Sequence, residues 1–537
     1  MIEAKISPWS PFKFKDFRIL WIASLLSTTG SRMHEVGAAW LMTSLSTDPF
    51  TVALVQTATT LPIFLFALTA GAIADVVSRR KLLIYVQLLM ATVAGVFACL
   101  IFLDKMTPTL LIGFVFILGV GAAFVAPAKQ ATVPQLIPRS DLQSAIALNS
   151  VGFNLSRAVG PAIAGVLILT VGITAPFVFN ALSFAIISAA YFWWCPGRIL
   201  NSLPKEKIPG AVITGLRYVR YSPPLRATFG RTFSFCLSAS AFWALLPLFV
   251  KTELKGDASL FGLLIGAIGL GAVMGVFLLP KLKQRFKPTK IITIASAFIV
   301  LVLISAGLSV NQTLAVFTCI VFGASWIWVL STLNVSAQLA LPDWVRARGL
   351  AIYLMVFFGS MSLGSILWGY LASEIGICPT MLVAASTLFL GALLSRKLPL
   401  NEGEALDLAP SMHWADPIVV VNSEEELDLV NDRSPVMVTI EYIIDKENEA
   451  RFLYLMCRLG QVRKQYGAYS WDILEEANQP GTFIEYFLDV SWLEHLRHHQ
   501  RVTGKDRELQ QEINALHRGD AHPTTRHFFG SMSYRCN

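Results

Sequence analysis

The sequence predicts an all-α polytopic membrane protein with twelve transmembrane helices in two six-helix halves, followed by a small C-terminal α+β domain. Two observations on composition predict this class. Of the 537 residues, 54% are hydrophobic and only 15% are charged, and the mean hydropathy is +0.59. A soluble domain carries roughly 25% charged residues, so an ordinary soluble enzyme is excluded over most of the length. The composition also changes near residue 398, after which most of the acidic residues and histidines occur.

Twelve apolar runs are long enough to cross the ~30 Å of hydrocarbon in a bilayer. They lie near 17–43, 51–73, 80–103, 108–127, 144–170, 173–195, 228–250, 259–280, 289–309, 312–333, 349–373 and 376–395. The basic and aromatic N-terminal residues lead directly into the first run, without a cleavage site of small residues. We therefore expect the first run to be an uncleaved span.

The distribution of basic residues predicts the orientation. Loops after the even-numbered spans hold basic clusters, for example at 79–81 and 281–287, whereas the alternate loops hold only Lys105, Lys251 and Lys255. Cytoplasmic loops carry such an excess of Lys and Arg. Both termini are therefore expected in the cytoplasm, in a multi-pass protein of the inner (plasma) membrane. The same distribution accounts for the net charge of +8 without a nucleic-acid partner.

The spans divide into two halves at the longest interior loop. A five-residue echo supports a duplication, because Gln130–Pro134 ends span 4 and Gln338–Pro342 ends span 10, six spans later. Duplicated halves around a central site are a known plan for transporters. The predicted domains are an N-terminal half (1–195), a cytoplasmic central loop (196–227), a C-terminal half (228–398), a linker (399–433) and a cytoplasmic domain (434–530).

The loop after span 2 carries a recognisable motif. Its principal positions are Gly71, Asp75, Arg79 and Arg80. This loop resembles the cytoplasmic signature of the major facilitator superfamily, although Val76 and Ser78 replace the usual Arg and Gly. The resemblance implies a latch that holds one gating state: the glycine permits a close helix approach, and the acidic residue pairs with a helix N-terminus. The alternative interpretation is a plain basic loop.

Span 5 carries small residues at intervals of four, which places them on one helix face. The motif comprises Gly152, Ser156, Gly160, Pro161 and Gly165. It resembles the glycine–proline signature of the export-directed branch of the same superfamily, and this resemblance favours export. The alternative is ordinary close packing of membrane helices.

Ionisable residues inside spans are costly and are functional candidates by default. Arg32 and Glu35 lie three residues apart in span 1 and can pair on one helix face, and Arg157 lies within span 5. A carboxylate near the midplane can take up or release a proton when its partner moves. Glu35 is therefore the candidate proton-coupling acid, with Arg32 or Arg157 as its partner. The alternatives are a purely structural pair, or a longer first loop in which these residues reach water.

The C-terminal region predicts the element order βαββαβ, which is that of a ferredoxin-like domain. The predicted strands are 436–444, 468–476, 482–490 and 524–529, and the predicted helices are 447–465 and 492 to about 517. Together with Tyr466–Tyr469 and Phe487–Thr503, this region is similar to the extension of a transporter branch that includes relatives of the enterobactin exporter. It also resembles the antibiotic-biosynthesis monooxygenases, which implies pairing of two chains as a homodimer.

His495, His498 and His499 share one helix face in this region. Such spacing can bind a metal or haem, but a solvated helix face or a dimer contact is the commoner explanation. We therefore predict no metal site, and no cofactor.

The predicted function is secondary active transport, in which a proton gradient drives export of a siderophore or drug-like molecule by alternating access. The expected partners are the small-molecule substrate, protons and the lipid bilayer. The alternatives are a proton-coupled importer, or a membrane-tethered sensor or enzyme acting through the C-terminal domain. A G-x-x-x-x-G-K-[ST] motif for ATP is lacking, and nothing in the residue pattern points to a definite enzymatic reaction.

Overall fold

The computed structural model describes residues 9–138, 141–194, 208–308, 310–342, 344–397, 400, 435–518 and 523–530. The chain forms two compact units. The membrane unit comprises Met1–Pro204, Ala227–Val335 and Ala351–Glu402. The C-terminal unit comprises Lys205–Arg226, Ser336–Leu350 and Gly403–Asn537.

Twelve long helices and one short helix precede the C-terminal domain in the described ranges. They are α1 (Lys15–Leu45), α2 (Pro49–Val76), α3 (Arg79–Phe102), α4 (Pro108–Thr132), α5 (Leu142–Thr170), α6 (Ala175–Trp193), the short α7 (Ile208–Tyr221), α8 (Pro223–Thr252), α9 (Ala258–Arg285), α10 (Pro288–Leu308), α11 (Gln312–Leu339), α12 (Arg346–Ile375) and α13 (Ile377–Leu394).

Eleven of the described helices are long and apolar enough to cross a membrane. The remaining long helix, α1, has 31 residues but carries Arg32, His34 and Glu35, which lower its hydropathy. The polytopic architecture is therefore confirmed, with eleven of the twelve predicted spans supported by both length and composition. The helix that departs from the apolar pattern holds two of the three candidate proton-coupling residues, Arg32 and Glu35.

One end of the helix bundle contains the turns α1–α2, α5–α6, α8–α9 and α12–α13. We call it the odd-loop end. Several helices begin there with side-chain caps. Asp48 accepts hydrogen bonds from the amides of Phe50 and Thr51 at the start of α2, and Asp257 accepts one from Leu260 at the start of α9. Such caps satisfy amide groups that the first helical turn leaves unpaired.

The two six-helix halves meet where α5 crosses α9 near the odd-loop end. A Cβ atom built on Gly262 of α9 would lie 2.8 Å from the Cα atom of Gly165 on α5. Only glycine at both positions permits this approach of two backbones. Close by, the rings of Trp40 on α1 and Phe261 on α9 stack with their centroids 5.6 Å apart.

A second contact between the halves joins the odd-loop ends of α2 and α12. The Ser373 hydroxyl donates to the Asp48 carboxylate at 2.9 Å and accepts from the Phe50 amide at 3.2 Å. One turn earlier on α12, a Cβ atom built on Gly369 would lie 2.5 Å from the Cβ atom of Ala53. Hydrogen bonds and small residues therefore hold the two halves together at this end.

The C-terminal domain has the predicted βαββαβ order. Its elements are β1 (Val436–Ile443), α14 (Glu449–Tyr466), β2 (Ser470–Glu475), β3 (Thr482–Asp489), α15 (Trp492–Arg501), α16 (Gly504–Asn514) and β4 (Thr524–Phe529). The strands form an antiparallel sheet in the order β2-β3-β1-β4, as in ferredoxin-like domains. The helical region predicted from 492 to about 517 consists of two helices. They are separated at Thr503, which caps α16 in a capping box with Asp506.

The C-terminal unit also includes α7 and the segment between α11 and α12, so part of the predicted central loop groups with the C-terminal domain. Arg217 of α7 donates a 2.6 Å hydrogen bond to the carbonyl of Gly467, after α14. Tyr218, Trp344 and Tyr466 form a cluster whose ring centroids lie 5.6 to 6.3 Å apart. We call these three rings the aromatic junction.

Candidate functional site

The small residues of α5 pack against α1. A Cβ atom on Gly152 would lie 3.3 Å from the Trp21 ring, and one on Gly160 would lie 2.8 Å from the Cβ atom of Arg32. Between these glycines, the Thr29 hydroxyl donates to Ser156 at 3.0 Å. The α5 face thus provides the space that the stem of Arg32 occupies.

The same motif contributes to a second interface. Gly165, one turn beyond Gly160, contacts Gly262 of α9 rather than α1. Pro161 lies between them inside α5, where it removes a backbone donor. Gly165 is out of step with the four-residue repeat of Gly152, Ser156 and Gly160, and this last residue of the motif joins the two halves of the bundle.

Arg32 and Glu35 form an ion pair on α1. Nη1 of Arg32 lies 2.6 Å from Oε2 of Glu35, and the two side chains are 27% and 36% exposed. Nε of Arg32 is buried and has no hydrogen-bond partner among the described residues. The pair is thus held by one short contact and has little further support from the described residues.

Arg157 is brought close to this pair by an aromatic ring that the sequence analysis did not single out. The guanidinium groups of Arg157 and Arg32 lie 5.4 and 5.8 Å from the centroid of Phe153, within the range of cation–π attraction. The structure therefore brings together all three predicted proton-coupling residues. A sequence signal for Phe153 existed, since it lies one helical turn before Arg157.

His34 belongs to a different environment, although it is adjacent to the ion pair in sequence. It is buried, and its ring lies 5.1 Å from those of Phe97 on α3 and Phe177 on α6. In the part of the chain that the structure describes, neither ring nitrogen has a hydrogen-bond partner. This imidazole packs between helices of the N-terminal half and does not contact Glu35.

The predicted gating loop lies at the junction of α2 and α3. The side chain of Asp75 is outside the described residues. Nothing described lies within 4 Å of a Cβ atom built on Gly71, so the close approach expected there is not seen. Arg80 donates to the carbonyls of Tyr191, at 3.1 Å, and Phe192 at the end of α6, where a cation is favoured by the helix dipole.

Two of the three histidines that were predicted to share a helix face are buried. His495 and His498 are each 1% exposed, which contradicts the interpretation of their spacing as a solvated helix face. Nδ1 of His495 lies 2.9 Å, and Nδ1 of His498 3.5 Å, from Oδ2 of Asp489 at the end of β3. Burial raises the pKa of Asp489, but the two histidines outweigh burial and hold that pKa below its usual range.

His499 and His527 complete this group from α15 and from strand β4. Burial, reinforced by His495 and His498, lowers the pKa of His499 to about 3. Burial and His495 lower the pKa of His527 to about 4. Both imidazoles are therefore neutral near pH 7, the form that binds metal ions. Sequence spacing did not indicate His527, because it comes from another element.

A buried ion pair lies under the same sheet. Nε of Arg463 on α14 lies 2.9 Å from Oε1 of Glu485 on β3, and the two side chains are 2% and 0% exposed. Glu485 also accepts hydrogen bonds from Trp471 at 2.9 Å and Tyr442 at 3.2 Å. Glu485 occupies an inward position of β3 between Phe483 and Phe487, and this break in the apolar alternation is a signal that the sequence analysis missed.

Comparison with known proteins places this architecture among membrane transporters. A family model described as transmembrane secretion effector matches residues 6–534. The staphyloferrin A transporter of Staphylococcus aureus is 24% identical over 71% of this chain and 97% of its own length. The multidrug efflux pump Tap of Mycolicibacterium fortuitum is 25% identical over 73% and 97%, and the enterobactin exporter EntS of Escherichia coli is 24% identical over 59% and 75%.

A solved structure shows the same fold at lower identity. The bacterial homolog of the human lysosomal transporter Spinster, in an inward-facing and unoccupied conformation, aligns with a TM-score of 0.57 and 14% identity. The alignment covers 72% of this chain and 98% of that one.

Proposed function

The chain belongs to the transmembrane secretion effector family of the major facilitator superfamily, and from this premise we propose that it exports a small organic molecule, siderophore or drug-like, against an inward flow of protons. It is a multi-pass membrane transporter, and its relatives include siderophore transporters and a multidrug efflux pump. The observation that carries the proton-coupling proposal is the Arg32–Glu35 pair, held on α1 against the small face of α5.

Glu35 acts as the coupling acid in this proposal. Protonation of its carboxylate removes the charge that holds Arg32 at 2.6 Å. Arg32 is then free to move toward the ring of Phe153, whose centroid lies 5.8 Å from its guanidinium and 5.4 Å from that of Arg157. Since Gly160 lies against the stem of Arg32, this movement changes the packing of α1 on α5. Helix α5 in turn contacts α9 of the other half, and the protonation state is thereby linked to the rocking of the halves.

The proposed state is open toward the cytoplasm. The contacts of Gly165 with Gly262, and of Ser373 with Asp48, join the halves at the odd-loop end. The odd loops are poor in basic residues, which favours a location on the outer side of the membrane, with both termini in the cytoplasm. A transporter in this state takes up its substrate from the cytoplasm.

Flux measurements test proton-coupled export. We expect inverted membrane vesicles with an acidic interior to accumulate a siderophore or a fluorescent drug from a panel of such compounds. Glu35→Gln should abolish gradient-driven accumulation while retaining exchange of labelled for unlabelled substrate, because exchange needs no net proton transfer. Glu374→Gln, at an exposed carboxylate near the end of α12, is the matched control and should transport normally.

Two outcomes would contradict this proposal. Full gradient-driven accumulation by Glu35→Gln would exclude Glu35 as the coupling acid. Accumulation in right-side-out vesicles, driven by external acid, would instead indicate a proton-coupled importer.

Cysteine cross-linking tests the closed odd-loop end. The double variant Asp48→Cys/Ser373→Cys, in a background in which the exposed Cys99 and Cys457 are serine, should form a disulfide with a mild oxidant. Transport should stop and should recover on reduction. Labelling of the Asp48→Cys single variant by an impermeant thiol reagent added to intact cells would support an outer location. Labelling only after the membrane is opened would contradict it.

Pairing of two chains through the C-terminal domain is a separate part of the proposal. It rests on the sheet order β2-β3-β1-β4, which is ferredoxin-like. The C-terminal domain resembles in this respect the monooxygenase domains that pair as dimers. Light scattering of the purified full chain should give the mass of a dimer. A monomer with the C-terminal domain intact would contradict pairing.

A further inference from the structure

We propose that His495, His499 and His527 form a binding site for one divalent transition-metal ion in the C-terminal domain. Each offers one imidazole nitrogen, and these nitrogens all lie within 4.8 Å of one another. All three ligands belong to the C-terminal domain, within residues 435–530. The site is therefore separate from the proposed transport residues, which belong to the membrane unit.

Two elements converge on this site. His495 and His499 are one turn apart on α15, an i, i+4 spacing that directs both imidazoles to one side of a helix. Their ring centroids are 4.7 Å apart. His527 lies on the edge strand β4, opposite Val438 of β1, and its ring lies 5.0 Å from that of His495. The helix therefore supplies two ligands and the strand supplies the third.

Asp489 orients the central ligand. Its Oδ2 atom lies 2.9 Å from Nδ1 of His495. Because a carboxylate only accepts, this contact favours the neutral tautomer with the proton on Nδ1, in which Nε2 is a lone-pair donor. That Nε2 atom is buried and has no hydrogen-bond partner among the described residues. A buried polar atom without a partner needs an explanation. A carboxylate on one imidazole nitrogen, with a metal on the other, is the usual arrangement around metal-bound histidine.

The donor set determines the class of metal. Imidazole nitrogen suits zinc, copper, nickel and ferrous iron, whereas calcium and magnesium prefer oxygen. Bonds of about 2.0–2.1 Å to a tetrahedral metal place ligand nitrogens about 3.3 Å apart. The present separations must therefore shorten by no more than about 1.5 Å, which small side-chain rotations supply. Three protein ligands leave a fourth position for water or a small molecule.

The site is connected to the aromatic junction through its own helix. Arg501 ends α15, and its guanidinium lies 4.6 Å from the ring centroid of Trp344, in the segment between α11 and α12. Arg501 also donates to the carbonyl of Tyr466 at 3.1 Å. A metal that fixes His495 and His499 should therefore reduce the mobility of α15 as far as Arg501. This reduced mobility can be measured separately from metal binding.

Binding of Co²⁺ and Zn²⁺ to the full chain tests the proposal. The protein is purified in detergent without a polyhistidine tag, stripped with a chelator and titrated with Co²⁺, whose visible absorption reports tetrahedral nitrogen ligation. We expect one Co²⁺ per chain, displaced by Zn²⁺. Hydrogen exchange in peptides covering 492–501 should slow when the metal is bound.

Variants distinguish the site from adventitious binding. His499→Ala/His527→Ala replaces two partly exposed ligands and should lose the Co²⁺ spectrum. Asp489→Asn should weaken binding about 10–100-fold, as removal of an orienting carboxylate does. His517→Ala, at a histidine of the same domain outside the group, is the matched control and should bind normally. A wild-type chain without the Co²⁺ spectrum, or equal binding by the double variant, would overturn the proposal.

Discussion

The chain contains two arginine–glutamate ion pairs in different surroundings: Arg32 with Glu35, and Arg463 with Glu485. The first lies on one helix of the membrane unit, is about one-third exposed and leaves Nε of Arg32 without a partner among the described residues. The second lies in the core of the C-terminal domain, with both side chains at most 2% exposed. Its carboxylate also accepts hydrogen bonds from Trp471 and Tyr442, at 2.9 and 3.2 Å.

The difference indicates which pair can switch. A buried pair with a complete set of hydrogen bonds cannot lose one partner without leaving an uncompensated charge. A partly exposed pair with one short contact changes its protonation or geometry at a smaller cost. We therefore assign a structural role to Arg463 and Glu485, and the proton-coupling proposal concerns Arg32 and Glu35.

The largest effect is expected from Glu485→Ala. This change leaves Arg463 buried without its carboxylate and should lower the free energy of unfolding of the C-terminal domain by about 3–5 kcal/mol. Hydrogen exchange of peptides from β1 and β3 in the full chain measures this loss.

A control for that prediction is an exposed pair of the same domain. Arg451 and Glu512 are 2.9 Å apart but are 62% and 43% exposed. Glu512→Ala should therefore change the free energy of unfolding by less than about 1 kcal/mol. Equal losses for the two variants would remove the distinction between buried and exposed pairs.

An intermediate effect is expected from Gly160→Ala. The new Cβ atom would lie 2.8 Å from that of Arg32, so Arg32 must shift away from its position beside Glu35. Overpacking of this kind costs about 1–3 kcal/mol, and gradient-driven flux should fall while exchange is affected less. Gly95→Ala is the control, since nothing described lies within 4 Å of a Cβ atom there. Normal coupling in Gly160→Ala would argue against a role for this contact.

The smallest effect is expected from a double-mutant cycle on Arg32 and Glu35. Thermal unfolding of Arg32→Ala, Glu35→Ala and the double variant should give a coupling free energy below about 1 kcal/mol, because the pair is partly exposed. The equivalent cycle on Arg463 and Glu485 should give several times more. A strong coupling in the first cycle would favour the structural alternative for Arg32 and Glu35.

Elements with a strong local signal were predicted well. The long apolar helices and the βαββαβ order follow from periodicity and composition, because neighbouring residues largely decide helix and strand. Residues brought together by folding were missed: Phe153 beside Arg32 and Arg157, and His527 beside His495 and His499. Phe153 lies one turn from Arg157 on the same helix, but its proximity to Arg32 of α1 depends on the packing of α5 on α1, and His527 of β4 meets α15 in the same way. Sequence spacing does not encode such contacts between separate elements.

The sequence alone determined that this chain crosses a membrane many times, that it resembles the major facilitator superfamily and that a small α+β domain follows. Those conclusions depend on hydrophobicity, charge placement and short motifs, which are local properties. Only the tertiary structure decided that the small face of α5 packs against both α1 and α9, and that Asp489 orients His495 toward two other histidines. Such contacts depend on close packing between distant segments, and the identity of one residue does not specify the residues that surround it.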